Sequence, residues 1–133
     1  MLILETLLET PAFALAYDAP LQGLYVTWRG AHDTDSSVAN CVLILQHVRA
    51  RQIRRLLTDS SLSLDGWSEL TGWLAHAFFP SLADNGVVAI AWVKALDWPT
   101  RTAIEQTMQA TTRPAVDTFE DTCAALTWLQ AMP

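Results

Sequence analysis

Gly86-Val87-Val88-Ala89-Ile90-Ala91-Trp92-Val93 is the stretch whose reading decides the fold, because it contains no polar side chain between its opening glycine and Lys94. So short an apolar run, rich in β-branched residues, suits a strand covered on both faces, as in the centre of a parallel sheet. A parallel strand needs a crossover on either side, and helical periods flank this one. Upstream, Trp67, Leu70, Leu74 and Phe78 form one stripe of a helix expected over Gly66–Phe79 and closed by Pro80. Downstream, Asp97 is placed to cap a helix with Pro99 in its first turn and Ala103, Ile104, Thr107 and Met108 on one face.

Farther out the alternation continues. Ile53–Thr58 reads as a strand, preceded by a helix that runs from the cap choices in His32-Asp33-Thr34-Asp35-Ser36-Ser37 to about Ala50. Its apolar positions are Val38, Cys41, Val42, Leu45 and Val48. Pro114–Phe119 is a last strand, and Glu120–Gln130 a closing helix with Cys123, Leu126 and Leu129 or Trp128 inward. The first thirty residues follow a period of two and predict three antiparallel strands. Leu2, Leu4, Thr6 and Leu8 share a face of the first, although Leu4, Leu7 and Leu8 would also suit a helix; Phe13, Leu15 and Tyr17 share a face of the second, and Leu24, Val26 and Trp28 of the third. The order βββαβαβαβα predicts an α/β fold in which an antiparallel lead-in feeds a mostly parallel sheet with right-handed βα crossovers, one domain over 1–133.

Composition narrows the function. Of 133 residues 51% are apolar and 17% charged, and 8 Lys plus Arg against 14 Asp plus Glu give a net charge of -6, the wrong sign for nucleic acid or anionic lipid. No uncharged stretch approaches the ~20 residues of a membrane span, so no membrane insertion is expected. The apolar start MLILETLLET carries Glu5 and Glu9, and the first basic residue is Arg29, which argues against an export signal. Cys41 and Cys123, each in an apolar helical stretch, read as small buried hydrophobes, and a cytoplasmic location suits them. A charged fraction below the roughly 25% of ordinary soluble domains leaves apolar surface to cover, which predicts a homodimer.

The pattern resembles the SpoIIAA-like fold of the STAS superfamily, which includes anti-sigma-factor antagonists and cytoplasmic modules of sulfate transporters, and is similar to small bacterial proteins of that type. The residues that carry the likeness are Leu24-Tyr25-Val26-Thr27-Trp28-Arg29-Gly30, Leu56-Leu57-Thr58-Asp59, Trp67 with Trp73 and Leu74, Gly86-Val87, and Phe119-Glu120-Asp121 leading to Ala125-Leu126-Thr127-Trp128-Leu129. The resemblance implies a regulatory or interaction module without catalysis. It also implies a phosphorylation site at Ser60 or Ser61, because antagonists of this kind carry a phosphorylatable serine after an aspartate at a strand-to-helix turn. Asp59-Ser60-Ser61 matches that turn, but Leu62 stands where the motif has glycine, and Gly66 comes four residues later.

Ligands of open α/β sheets bind beyond the carboxyl ends of the parallel strands. That rule selects Arg29, Gly30 and His32, then Asp59, Ser60 and Ser61, then Lys94, Asp97 and Trp98, with Phe119 and Glu120 last. Asp59 and Lys94, if adjacent, would form a polar centre for a small anionic or amphipathic ligand; the plainer reading is a turn cap and a solvated lysine. His32, His47 and His76 have no ligand spacing, and no cofactor motif or nucleophile elbow occurs, so neither a metal nor a cofactor is expected. Arg49, Arg51, Arg54 and Arg55 form one basic cluster, read either as an acidic-partner or phosphate site or as a complement to a helix C-terminus. Of the six tryptophans, Trp73 and Trp98 are the expected surface ones. The leading expectation is a module that binds a protein partner or small ligand. The alternative is a carrier of a lipid-like or apolar molecule in a helix–sheet cavity; an enzyme comes third.

Overall fold

The computed structural model describes residues 4–64, 67 and 69–132. Its strands are β1 (Glu5–Glu9), β2 (Phe13–Asp18), β3 (Gly23–Gly30), β4 (Arg55–Ser63), β5 (Ala89–Val93) and β6 (Ala115–Phe119), and they lie in one sheet in the order of the chain. β1, β2 and β3 pair antiparallel, and β3 through β6 pair parallel. Three helices fill the crossovers: α1 (Thr34–Arg51), α2, which joins Thr71–Trp73, Leu74–Phe78 and Phe79–Asp84, and α3 (Trp98–Ala110); α4 (Thr122–Ala131) closes the chain. No helix among the described residues is long and apolar enough to cross a membrane.

Strands laid down side by side with crossovers of one hand put all the crossover helices on one face. That face holds the larger core. Leu15, Leu24, Val26, Leu56 and Ile90 of the sheet meet Cys41, Ile44 and Val48 of α1, Leu74, Phe79 and Leu82 of α2, and Ala103 and Ile104 of α3. The opposite face carries smaller side chains and a smaller cluster, in which Tyr25, Leu57, Ala89, Ala91 and Val93 pack against Ala125 and Leu129 of α4.

Several local features depart from the periodic reading. In β1 the register to β2 shifts between Thr6 and Leu8, and this bulge lets both Leu7 and Leu8 reach the larger core. That is why the leucine spacing looked equally helical. α1 buries Ser37, Cys41, Ile44 and Val48, so Val42 faces outward at 47% exposure. Cys123 is exposed, because α4 turns Ala125 and Leu129 to the sheet.

Pro80 does not end α2. The five residues Leu74–Phe78 form a π turn, and the α helix restarts at Phe79, so the proline falls in a first turn, where its missing N–H is no loss. The expected start at Gly66 lies outside the described residues, and the helix itself begins at Thr71. At the outer edge of β6, Lys94 N–H donates to Phe119 O across the sheet, so the next residue back, Thr118, turns its main-chain groups outward. The Asp117 carboxylate accepts from the Thr118 N–H at 2.8 Å.

Candidate functional site at the carboxyl ends of the parallel strands

The rim is joined across four strands by hydrogen bonds. Leu64 N–H donates to Gly30 O at 3.0 Å, Leu96 N–H to Ser61 O at 3.5 Å, and Lys94 N–H to Phe119 O at 2.8 Å. The turns after β3, β5 and β6 and the end of β4 therefore form one continuous border.

Beneath it lies a chain of aromatic rings. Phe13 and Trp28 have centroids 4.7 Å apart, Trp28 and Trp67 4.7 Å, Trp67 and Trp92 5.6 Å, and Trp92 and Phe79 5.9 Å, with the tryptophan pairs edge to face. His32 joins edge-on to Trp28 at 5.3 Å and is buried in the core, not presented to a ligand. Buried indole N–H groups need acceptors, and serines of β4 supply two of them. Trp92 Nε1–H donates to Ser60 Oγ at 2.8 Å, Ser60 Oγ–H donates to Val93 O at 2.8 Å, and Trp67 Nε1–H donates to Ser63 Oγ at 3.1 Å.

This explains why β4 runs to Ser63 instead of stopping at Thr58. Asp59, Ser60 and Ser61 lie inside the strand and not at a strand-to-helix turn. Ser60 is fully buried, and its oxygen is committed on both sides. Ser61 is half-buried, and its N–H donates to Asp59 Oδ1 at 2.9 Å. The helix that follows β4 in the chain, α2, starts only at Thr71. A serine at the start of the helix that follows its own strand, where backbone N–H groups favour a phosphate, is not the arrangement of Ser60 or Ser61.

Asp59 and Lys94 are not brought together either. Asp59 registers with Val93, so Lys94, one residue on, projects to the other face. Lys94 Nζ lies 3.6 Å from Glu105 and 3.5 Å from Glu120, and Arg101 completes the group at 3.7 Å from Glu105 and 2.5 Å from Glu120. The Arg101 guanidinium, with Lys94 behind it, holds the Glu120 carboxyl below its usual range. Both rim cations are thus already neutralised, which removes the charge that an anionic ligand would need. Arg29 is engaged in the same way by Glu9 at 3.1 Å and by Thr10 O at 3.2 Å.

Asp97 caps α3 as its position suggests, accepting from Thr100 N–H at 3.1 Å and from Thr100 Oγ1–H at 2.7 Å. Trp98 follows it at 71% exposure, with the Arg101 guanidinium 5.4 Å from its ring centroid. The other expected surface tryptophan, Trp73, is half-buried and stacks on Phe78 at 5.6 Å.

The alternation of the strands did not single out the apolar side chains of the border itself. Leu62 at 57%, Leu64 at 55% and Leu96 at 76% exposure belong to the same border as Trp98, tied into it by the Leu64 and Leu96 N–H groups. Among the described residues these are four of the six large apolar side chains left exposed; Leu4 and Val42 are the other two. The available signal was Leu62-Ser63-Leu64, an apolar pair with no helix or strand left to bury it, and Leu96 between a strand end and a helix cap.

Away from the rim, an apolar groove between α1 and α2, lined by Cys41, Val42, Leu45, Trp73 and Phe78, measures ≈ 160 Å³. Arg55, in the basic cluster, donates to Leu21 O at 2.7 Å and Met132 O at 2.8 Å, so it serves as a tie between main-chain segments. No group of three or more His, Cys, Asp or Glu able to hold a metal ion occurs among the described residues.

Fold and border together define a class: a mixed α/β sheet with its strands in chain order, filled by aromatic rings below one edge and with leucines and a tryptophan exposed along it. No family model matches the chain, and no curated protein or solved structure does.

Proposed function

We propose that this protein is a non-catalytic interaction module, STAS-like in architecture, that binds a protein partner through the border formed by Leu62, Leu64, Leu96 and Trp98. The observation that carries this reading is the concentration of large apolar side chains at the ligand-binding edge of an α/β sheet whose interior there is already occupied by rings. Exposed tryptophan and leucine beside fixed ion pairs are typical of an interface core with a polar rim.

The carrier reading is less well supported. The groove between α1 and α2, at ≈ 160 Å³, falls short of the roughly 300–1,000 Å³ that a drug-sized ligand occupies. An enzyme would need convergent polar groups with shifted pKa values at the border. Glu120 is shifted there, but by the cations that neutralise it. A homodimer through the same border would set like-charged carboxylates of two copies against each other, so a different protein suits it better.

A photocrosslinking amino acid placed at Leu96 or Trp98, and for comparison at Arg54 or Arg113 on the opposite end, tests the proposal in cells. The expected result is one discrete adduct from the first two positions and none from the others. Equal labelling from both ends, or none from either, would rule the interface out.

A further inference from the structure

The geometry points to a partner segment that is basic as well as apolar, a conclusion that rests on the reading of the border as a docking surface. The argument is charge complementarity. Asp33, Asp35, Asp59, Glu69, Asp97 and Asp121 lie toward the carboxyl ends of the strands, in the turns that follow them or at the helix starts beyond, and among the described residues none forms an ion pair with a lysine or arginine. Asp33, Asp97 and Asp121 cap α1, α3 and α4, and the positive ends of those helices offset part of their charge; Asp35 lies in the first turn of α1.

Asp59 and Glu69 cap no helix. Among the described residues Asp59 accepts from the Ser61 N–H and Glu69 from the Thr34 hydroxyl, at 2.9 and 3.0 Å. In the chain they stand on either side of Leu62 and Leu64. The lysine and arginines of this region among the described residues, Arg29, Lys94 and Arg101, are each held by a glutamate.

A surface of this kind repels nucleic acid, anionic lipid and phosphorylated peptides, and attracts a chain in which leucine-like side chains alternate with lysine or arginine. The one basic cluster of the protein itself stands elsewhere: Arg49, Arg51, Arg54 and Arg55 gather at the opposite end, around the C-terminus of α1. The molecule is therefore polar from end to end, and the apolar side chains fall on its acidic end.

Three synthetic peptides of equal length test this on the full chain by fluorescence anisotropy: one of leucine and lysine with an amphipathic pattern, one with glutamate for every lysine, and one with serine for every leucine. The leucine–lysine peptide is expected to bind, more weakly at high salt, and the other two to bind at least about tenfold more weakly. Replacing Leu96→Ser with Trp98→Ser should weaken binding about tenfold or more. The pair Asp59→Asn with Glu69→Gln, which spares the helix caps, should weaken it about threefold to tenfold and flatten the salt dependence. Glu5→Gln with Asp84→Asn removes the same charge from the other end and should change nothing.

Binding of the glutamate peptide as tight as that of the lysine peptide would overturn the basic partner while leaving the border as a docking surface. Binding indifferent to Leu96→Ser with Trp98→Ser would overturn the border itself. Loss of affinity with Glu5→Gln and Asp84→Asn equal to that with the Asp59 and Glu69 pair would reduce the effect to net charge and sink the inference.

Discussion

The two ends of the parallel strands are built on opposite plans. At the amino end the polar groups are spent on the chain itself: Gln22 O accepts from both Arg54 N–H and Arg55 N–H, and Arg55 ties the β2–β3 turn to the C-terminal segment. At the carboxyl end buried serines are spent on indole N–H groups below the surface, and leucines and a tryptophan are left in contact with solvent above them, among acidic side chains. One end secures the fold, and the other presents a surface whose removal should cost the fold little. Local stability and exposed apolar surface are thereby separated in space.

The sharpest way to break that contrast is at the tryptophans. Trp92→Ala empties the aromatic column and should lower unfolding free energy by about 3–5 kcal/mol in urea titrations, whereas Trp98→Ala should stay within about 0.5 kcal/mol of the parent. Comparable losses from both would mean that the border is part of the core. At the amino end, Arg55→Gln gives up charged hydrogen bonds to two carbonyls and should cost about 1.5–3 kcal/mol. Arg54→Gln serves as its control: no side-chain bond of Arg54 occurs among the described residues, and the expected change is below about 0.5 kcal/mol by the same titration.

Within β4 the same distinction separates neighbours. Ser60→Ala strands the Trp92 indole N–H and should cost about 1–3 kcal/mol, while Ser61→Ala, on the other side of the strand, should be close to neutral. A thermal melt of the two variants decides it.

The smallest effect is alkaline. Burial pushes the Cys41 thiol up from 9.0 to about 12, so the folded chain keeps a proton that the unfolded chain releases. Stability contributed by that proton is complete below pH 9.0 and falls as pH rises toward about 12. By about pH 10 the loss should be on the order of 1 kcal/mol. Tyr25, raised by burial and by Asp18, adds a loss of the same sign at higher pH. Cys41→Ala should flatten the first part of the slope, as read from urea midpoints across pH. In the folded protein a thiol reagent should label the exposed Cys123 alone.

Much of this architecture was legible in the sequence because period and punctuation agreed. The uninterrupted run ending at Val93 placed β5, the Asp97 cap and Pro99 placed α3, and the sheet takes the expected mixed form. Where they conflicted, tertiary contacts decided. β4 outran its apolar stretch because serines can be buried when indoles donate to them, a pairing between residues 32 positions apart that no local pattern reveals. Pro80 looked like a stop because a π turn has no sequence period of its own. At the candidate site the rule of strand ends leads to this edge and to Trp98, but it favours charged and hydroxyl residues. Lys94 proved to be neutralised, Ser60 and His32 buried, and the leucines between them the exposed ones.

The carboxylate of Asp117 acquires a further meaning from the order of the strands. A ribbon to which each βα unit is added beside the last has no geometric reason to end, and its final member offers main-chain donors to any extended chain that comes near. By accepting the Thr118 N–H on its own side chain, Asp117 occupies one main-chain donor of that last edge, which an incoming strand would otherwise find free.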